Sequence, residues 1–454
     1  MSPEEVAALV EENAALRAEN GALQQQVSEL TGRLQRALAR IAELEESRRE
    51  PPAFVKPNRP ERSAGKGPRK KRAAEHNTSR QRAEPTRIAR HALARCPDCD
   101  SSLRGERIDY TREVIELPPP AAVEVIEHQV IKRWCPHCQK WHSPQLDLTG
   151  QGFGQGRIGV RIVSLVSYLR TTLRLPFRVI QSHLATLHNL QLSVGELVAL
   201  THAVRQQLQP QLEQLKQEVQ ASAVAHGDET GWRENGQNGY AWAFATGGAT
   251  AVRYFEFAFS RSHVIAQRIL GADWRGWLVT DFYAAYNLIP GHHQRCWSHL
   301  LRDLHDLKEQ HPAQNAVQEW AQAVRQLYLD ACAWLLAYPT PTLAERRAEY
   351  QSLFTQACRL GEQYALTPDH PCCALAKRLL RPQDELFQFV LIPGVPATNN
   401  LAERSIRPLV IMRKISGGSR SPEGTQTRLT LASLLHTWAA RNLNPFLECY
   451  AALQ

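Results

Sequence analysis

No uninterrupted apolar run in this chain reaches the roughly 18 residues that a membrane-spanning helix needs. The opening, MSPEEVAALVEENAAL, is acidic where a secretory signal would be basic and then apolar. A cytoplasmic protein with no membrane partner is therefore expected. A disulfide framework is missing too. Of ten cysteines, four fall in two CxxC pairs and six are scattered through helical patterns, which suits reduced thiols and a metal site. Net positive charge is confined to one segment. Between Lys56 and Arg95, 13 Lys and Arg face Glu61, Glu75 and Glu84, a local +10, against +9 for the whole chain, so the remainder is near neutral. A charge placed this unevenly reads as an arm for a polyanion.

What is there falls into blocks. At 454 residues the chain is long for one core, and a composition of 43% hydrophobic and 22% charged residues suits several globular domains. Residues 1–48 carry a heptad pattern, with Val6, Asn13, Asn20, Val27, Leu34 and Ile41 at a and Leu9, Leu16, Leu23, Leu30, Ala37 and Leu44 at d. This predicts a coiled coil, with the two a-position asparagines favouring an in-register parallel pair and Glu12 at g able to reach Arg17 at e of a second copy. A homodimer or a higher assembly follows. Residues 49–92 turn to Pro, Gly, Lys and Arg, a linker whose basic residues, Arg69, Lys70, Lys71 and Arg72 among them, would hold phosphate backbones without reading sequence.

In residues 93–145 the pairs CPDC (Cys96, Cys99) and CPHC (Cys135, Cys138) offer four thiolates to one structural zinc, with His137 and His142 as possible stand-ins. Between the pairs, AAVEVIEHQVIKRW alternates as a strand should, so a ribbon built on a hairpin is expected. Within residues 146–220, two helices flank HNLQL, and Ser193 with Glu196 forms a capping box that starts the second. The pair is either a helix-turn-helix for DNA or an ordinary helical hairpin.

Strands follow. AVAHGDETGW is an apolar run reaching Asp228, YAWAFAT and VRYFEFAF alternate, and GWLVTDFYAAY is a buried strand that ends at Asp281. Helices over 262–270 and 297–307 complete a mixed sheet flanked by helices. An aspartate just past a buried strand is costly without a partner or a metal. Further on, TNNLAERSIRP gathers Asn399, Asn400, Glu403 and Arg407 at helical spacing, and Pro408 predicts a short helix that bends or stops there. Glu403 is either half of a solvated i, i+4 pair with Arg407 or a third carboxylate beside Asp228 and Asp281. Two aspartates and a helical glutamate are what a pair of Mg²⁺ ions, or Mn²⁺, needs for in-line phosphoryl displacement. Glu229 should point to the opposite face from Asp228, and Glu423 is expected in a Gly-rich loop. Trp232 and Trp297 are expected in the core.

DETGW, TDFYAAY, CWSHLLRD and NNLAERSIRPLVIMRK, in that order, resemble the transposases of the insertion-sequence-66 family. The resemblance covers nearly the whole chain. It implies a multidomain α/β protein with a leucine zipper, a basic linker, a zinc-binding domain, a helical DNA-binding segment, a ribonuclease-H-like catalytic domain over 221–430 and a C-terminal helical segment over 431–454. It implies a DDE triad of Asp228, Asp281 and Glu403, with a helical insertion over about 312–391 between the second Asp and the Glu. It also implies bacterial DNA, at the transposon ends and the target, as the partner of a nucleoid-associated enzyme, with accessory proteins from the same element. Around the triad, Asn399, Asn400, Arg404, Arg407, Arg413 and Lys414 are candidates for DNA contact, and His299 and Arg302, at i, i+3 on one helix, for support of the metals. The competing reading is a catalytically inactive descendant, a dimeric DNA-binding repressor or end-binder.

Overall fold

The computed structural model describes residues 84–454 apart from 116, 118, 155 and 382, together with 17, 20, 21, 23–35, 37 and 38. The chain divides into two compact units, Met1–Glu116 and Leu117–Gln454. In the first, every described residue between 17 and 38 is helical. Leu23, Val27, Leu30 and Leu34, the a and d leucines and valine that fall there, are 52–62% exposed in the single chain. Val6, Leu9, Asn13, Leu16, Ile41 and Leu44, and the basic residues Arg69, Lys70, Lys71 and Arg72, lie outside the described residues. The first CxxC is a tight knuckle: the Cys96 N–H donates to Ser101 O at 2.9 Å, the Asp100 N–H to Cys96 O at 2.9 Å, and Asp100 takes a left-handed φ of 56°.

The second unit opens with the other knuckle. Strands β1 (Arg133–Cys135) and β2 (Lys140–His142) form an antiparallel hairpin around CPHC, with Trp134 edge-on to Trp141. The Cys138 N–H points at Cys135 Sγ, 3.4 Å away, and Gln139 takes φ 47°. Both knuckles therefore turn left-handed at the residue after their second cysteine. The expected strand through 121–132 does not form: those residues join no ladder, and the strand begins only at Arg133. Alternating side chains cannot hold a strand whose backbone N–H and C=O groups find no neighbouring strand.

Helices α1 (Val160–Thr171), α2 (Phe177–His188), α3 (Val194–Gln207) and α4 (Gln209–Gln220) come next. The capping box that starts α3 is complete, with Ser193 Oγ accepting the Glu196 N–H at 3.1 Å and the Glu196 carboxylate accepting the Ser193 N–H at 3.2 Å. α1, α2 and α3 enclose a small core of their own around Val166, Ile180, Leu184 and Leu197.

The central sheet has the order β5-β4-β3-β6-β7, formed by β3 (Val224–Glu234), β4 (Gln237–Ala245), β5 (Arg253–Ala258), β6 (Trp277–Thr280) and β7 (His292–Arg295). β3, β4 and β5 are antiparallel neighbours, while β3, β6 and β7 are parallel. α5 (His263–Leu270) links the two halves. One face, with Trp242 and Phe244, packs on α1, α4 and α5; the other, with Trp232, Ala241 and Ala243, packs on α11 (Asn400–Ser416). The open edge of β5 is closed by α12 (Pro422–Ala440). Its Ser433 and Thr437 hydroxyls, four residues apart, accept the N–H groups of Phe255 and Arg253, two residues apart, each at 2.9 Å. Two otherwise unpaired strand donors are so satisfied by one helix turn.

Helices α6 (Trp297–Gln310), α7 (Asn315–Ala337), α8 (Leu343–Tyr364), α9 (Cys373–Leu380) and α10 (Gln388–Leu391) build a separate core between β7 and α11, with Trp297 at its base. Trp297 and Trp232 are core residues, each with its indole N–H bonded, to Leu386 O and to Ser419 Oγ. α13 (Pro445–Leu453) ends the chain. Among the described residues no helix is long and apolar enough to cross a membrane.

Two local expectations fail. α11 does not stop at Pro408 but runs eight residues beyond it to Ser416. The carbonyl left without a donor is that of Arg404, on an exposed turn, where water can replace the missing N–H, while Leu409 and Met412 stay anchored in the core. Glu423 lies not in a loop but in the first turn of α12, capped by Ser421. A carboxylate there complements the helix N-terminus, and its ionic partners are Arg205 at 3.9 Å and His202 at 4.0 Å.

Candidate active site

Register brings the first two carboxylates together. His226 of β3 pairs with Val279 of β6 in parallel, so two residues on Asp228 comes level with Asp281. Asp281 directly follows Thr280, the last residue of β6, as expected. Asp228, by contrast, lies in the middle of β3, which the hairpin with β4 carries on to Glu234. It faces an opening because its parallel neighbour has ended there.

Glu403 reaches the same place from the first turn of α11, and Asn399 fixes that turn. Asn399 is 1% exposed, so it is not on the solvent-facing side. Its Nδ2 donates to Gly227 O at 2.8 Å, its Oδ1 lies 3.1 Å from His226 Nδ1, its own N–H points at Cys296 Sγ at 3.0 Å, and its carbonyl accepts the Glu403 N–H at 3.2 Å. Burial lowers His226 to a pKa of about 4, so its neutral ring donates Nδ1–H to Asn399. Side chain and backbone of this one residue thus tie β3, the start of α6 and the Glu403 helix together. Asn399→Ala is expected to cost about 1–3 kcal/mol for each of the two buried groups it leaves unpaired, read from denaturant unfolding, with a loss of metal-dependent activity larger than that of any Asn400 variant.

Asp228 is held up to a pKa of about 7, first by burial and then by the charges of Glu229, Asp281 and Glu403. Its Oδ1 accepts the Glu229 N–H at 2.9 Å, and Asp281 Oδ1 accepts the Tyr283 N–H at 2.9 Å. The donor set, carboxylate oxygens on a helix and at two strand positions, fits hard divalent ions. Glu229 turns to the other face as expected, where Tyr286 Oη donates to it at 2.5 Å and Arg261 Nε at 2.8 Å.

Glu403 meets His299, not Arg407. Its Oε1 lies 3.6 Å from His299 Nδ1, and both atoms are buried without a hydrogen-bond partner. His299 is raised, chiefly by the Cys296 thiol beside it and against burial. Burial works to raise Cys296 in turn, yet His299 and the Asn399 and His299 N–H groups outweigh it and leave the thiol lowered.

Of the other candidates, Arg404, Arg407, Lys414, Asn400 and Arg302 are exposed. Arg404 Nε donates to Asn400 O in its own helix at 3.1 Å. Arg413 is employed within the fold, donating to Thr230 Oγ1 at 3.2 Å and to Gly231 O, so it clamps α11 to β3. An open groove of about 890 Å³ runs beside Asn400 and Arg404, walled by Thr246, Gly247 and Pro396.

Sequence reasoning passes over two residues that build this site, Arg295 and Cys296. Arg295 is 2% exposed and donates to Asp281 O and Thr280 Oγ1 at 3.1 Å, to Asn287 Oδ1 at 2.6 Å and to Glu385 Oε2 at 2.5 Å. The only signal was its place next to CWSHLLRD.

The model of the family described as "Transposase IS66 family" matches residues 155–427, more than half of the chain and all three carboxylates. The chain belongs to this family. A second model, "zinc-finger binding domain of transposase IS66", matches residues 94–139 and takes in all four CxxC cysteines. A curated relative from Sinorhizobium fredii, Uncharacterized protein y4jO, is 32% identical over 150 residues, which is 32% of this chain and 43% of that protein. This member of the family is a mixed α/β, multidomain chain, with a zinc-finger region ahead in sequence of the domain that carries the carboxylates.

Proposed function

We propose that the protein cuts DNA at the ends of its element and joins them to target DNA by direct phosphoryl transfer, with Asp228, Asp281 and Glu403 as the ligands of two divalent ions, Mg²⁺ or Mn²⁺. The convergence of these three side chains from β3, the end of β6 and α11 carries the reading. Three antiparallel strands continued by two parallel ones, with the carboxylates at the middle strand, its parallel neighbour and a following helix, support a ribonuclease-H-like fold.

When bound, the ions would supply Lewis-acid activation of water or of a 3′-hydroxyl and would offset charge on the leaving oxygen. The chain's own residues do the rest. Asp228 gives up its proton as positive charge enters, Asn399 and Arg295 hold the Glu403 turn and the Asp281 carbonyl in place, and the exposed Arg404, Arg407 and Lys414 offer positive charge to a DNA backbone beside the groove.

The two knuckles, Cys96 with Cys99 and Cys135 with Cys138, supply the thiolates for structural zinc. The zinc region and the α2–α3 pair would recognise ends, and the basic segment would hold DNA electrostatically. The exposed Leu23, Val27, Leu30 and Leu34 would pair subunits so that two ends meet. Accessory proteins of the same element fit the same scheme.

The test is cleavage and strand transfer by the purified full chain on labelled DNA bearing the element's ends, with and without Mg²⁺, beside Glu403→Gln. Metal-dependent products from the wild type and none from the variant are expected. Tight binding with no products from either, with the neighbouring gene products present, would instead identify an end-binding repressor.

A further inference from the structure

Cys296 Sγ, an imidazole nitrogen of His299 and a carboxylate oxygen of Glu403 lie within 4.8 Å of one another. Two features distinguish this trio from a chance cluster. First, His299 Nδ1 and Glu403 Oε1 are both buried with no hydrogen-bond partner, although they face each other. Their separation of 3.6 Å is too long for a hydrogen bond. It is close to the edge, about 3.4 Å, that separates two ligands each about 2.1 Å from one tetrahedral ion. Second, the sulfur is held in place. Cys296 is fully buried at the start of α6, where it receives the Asn399 N–H at 3.0 Å, a bond of the kind that orients and stabilises a metal-bound thiolate. The sulfur is too enclosed to attack a DNA strand, but a small ion beside His299 can reach it.

We propose that Cys296, His299 and Glu403 bind one borderline transition-metal ion of the Zn²⁺ or Co²⁺ class, with a fourth position left for water or a substrate oxygen. A mixed sulfur, nitrogen and oxygen set prefers such ions to Mg²⁺, which takes oxygen ligands in an octahedron. The inference rests on the reading above in one respect: Glu403 is shared with the triad. The site would then hold two unlike ions, a hard one between Asp228 and Asp281 and a borderline one on the Glu403 side.

The full chain, with zinc retained in its finger, is titrated with Co²⁺ and followed by visible absorption and by calorimetry. The wild type is compared with Cys296→Ser, His299→Ala, Glu403→Gln and Asp228→Asn. Any finger contribution is common to all five proteins and cancels in the comparison. Wild type and Asp228→Asn should take up one equivalent of Co²⁺ with intense tetrahedral bands and a sulfur-to-cobalt charge-transfer band. Cys296→Ser should lose the charge-transfer band. His299→Ala should weaken Co²⁺ binding by at least about tenfold, since even residues that only orient a metal ligand contribute about 10–100-fold. Circular dichroism of each variant, with His299→Asn as a smaller change, separates lost ligation from lost folding. Identical spectra and affinities for wild type, Cys296→Ser and His299→Ala, or a weak octahedral spectrum throughout, would overturn the proposal. Strand cleavage in Mg²⁺ alone is scored separately. Cleavage without the sulfur signature removes this proposal and leaves the transposase reading; the signature without cleavage does the reverse.

Discussion

Asp228→Asn is expected to abolish metal-dependent strand cleavage and, in buffer free of Mg²⁺, to make the protein more stable than the wild type above neutral pH. The sign follows from the raised pKa. Unfolded, the carboxyl releases its proton near its ordinary value of 3.8; folded, it keeps the proton until about 7. Between those values the unfolded chain binds fewer protons than the native one, so stability falls as pH rises and the loss is complete above about pH 7. Three pKa units at about 1.36 kcal/mol each set an upper scale of about 4 kcal/mol. Asparagine has no such titration, so its unfolding midpoint should stay level where that of the wild type declines. Millimolar Mg²⁺ should restore the wild type above pH 7 and leave the variant unmoved. Scanning calorimetry from pH 5 to pH 8, with and without Mg²⁺, reads both effects. Parallel pH profiles for the two proteins would mean that neither burial nor the neighbouring carboxylates hold the Asp228 proton.

Arg295→Met should be the most destabilising single change near the site, without touching any carboxylate of the triad. Methionine approximates the volume of the aliphatic stem but returns none of the four hydrogen bonds that the buried guanidinium makes. Removing one partner of a buried ion pair typically costs about 3–5 kcal/mol, because the other charge is stranded. Here Glu385, whose side chain is 21% exposed, keeps some water, so the lower end of that range is expected. Activity should fall beyond what stability explains, since the Asp281 carbonyl loses its brace. Denaturant unfolding and single-turnover cleavage at a temperature where the variant is folded separate the two. The double change Arg295→Met with Glu385→Gln should recover part of the stability and little of the activity.

What was legible in the sequence depended on whether a residue's neighbours are local. The capping box of α3, the buried runs of β4, β5 and β6, and the aspartate at the end of β6 are set by side chains a few positions away, and each reads directly. β7 does not. Its sequence, His-His-Gln-Arg, has no strand pattern, and Gln294 and Arg295 are buried because partners about 90 residues on, Leu386 O and Glu385, satisfy them. Asn399 was assigned to the face of Glu403 by helical spacing alone. As the residue at the helix start it is out of helical phase, and it turns inward to β3. Asp228 was expected at a strand end because an apolar run stops there, but the β4 hairpin carries the strand past it. Pro408 is tolerated because core contacts on both sides of it outweigh one missing hydrogen bond. The three carboxylates were legible because order along the chain, rather than geometry, marks them. His299 was already a candidate for support of the metals, but Cys296 beside Glu403 was not legible, since nothing local says that α6 starts beside α11.

The helical module between β7 and α11 leaves and rejoins the sheet at nearly one point. The Trp297 N–H donates to Ala397 O at 3.0 Å, and the Asn399 N–H meets Cys296 Sγ at the same distance. A loop of about a hundred residues is thereby pinched shut at its base, and near its far end Leu386 O and Glu385 also bond Gln294 and Arg295 of β7. The entropy of closing such a loop grows only with the logarithm of its length, about 0.6 kcal/mol for each doubling. The length of the module is therefore only weakly coupled to the neck, and with it to the spacing between Asp281 and Glu403 in space.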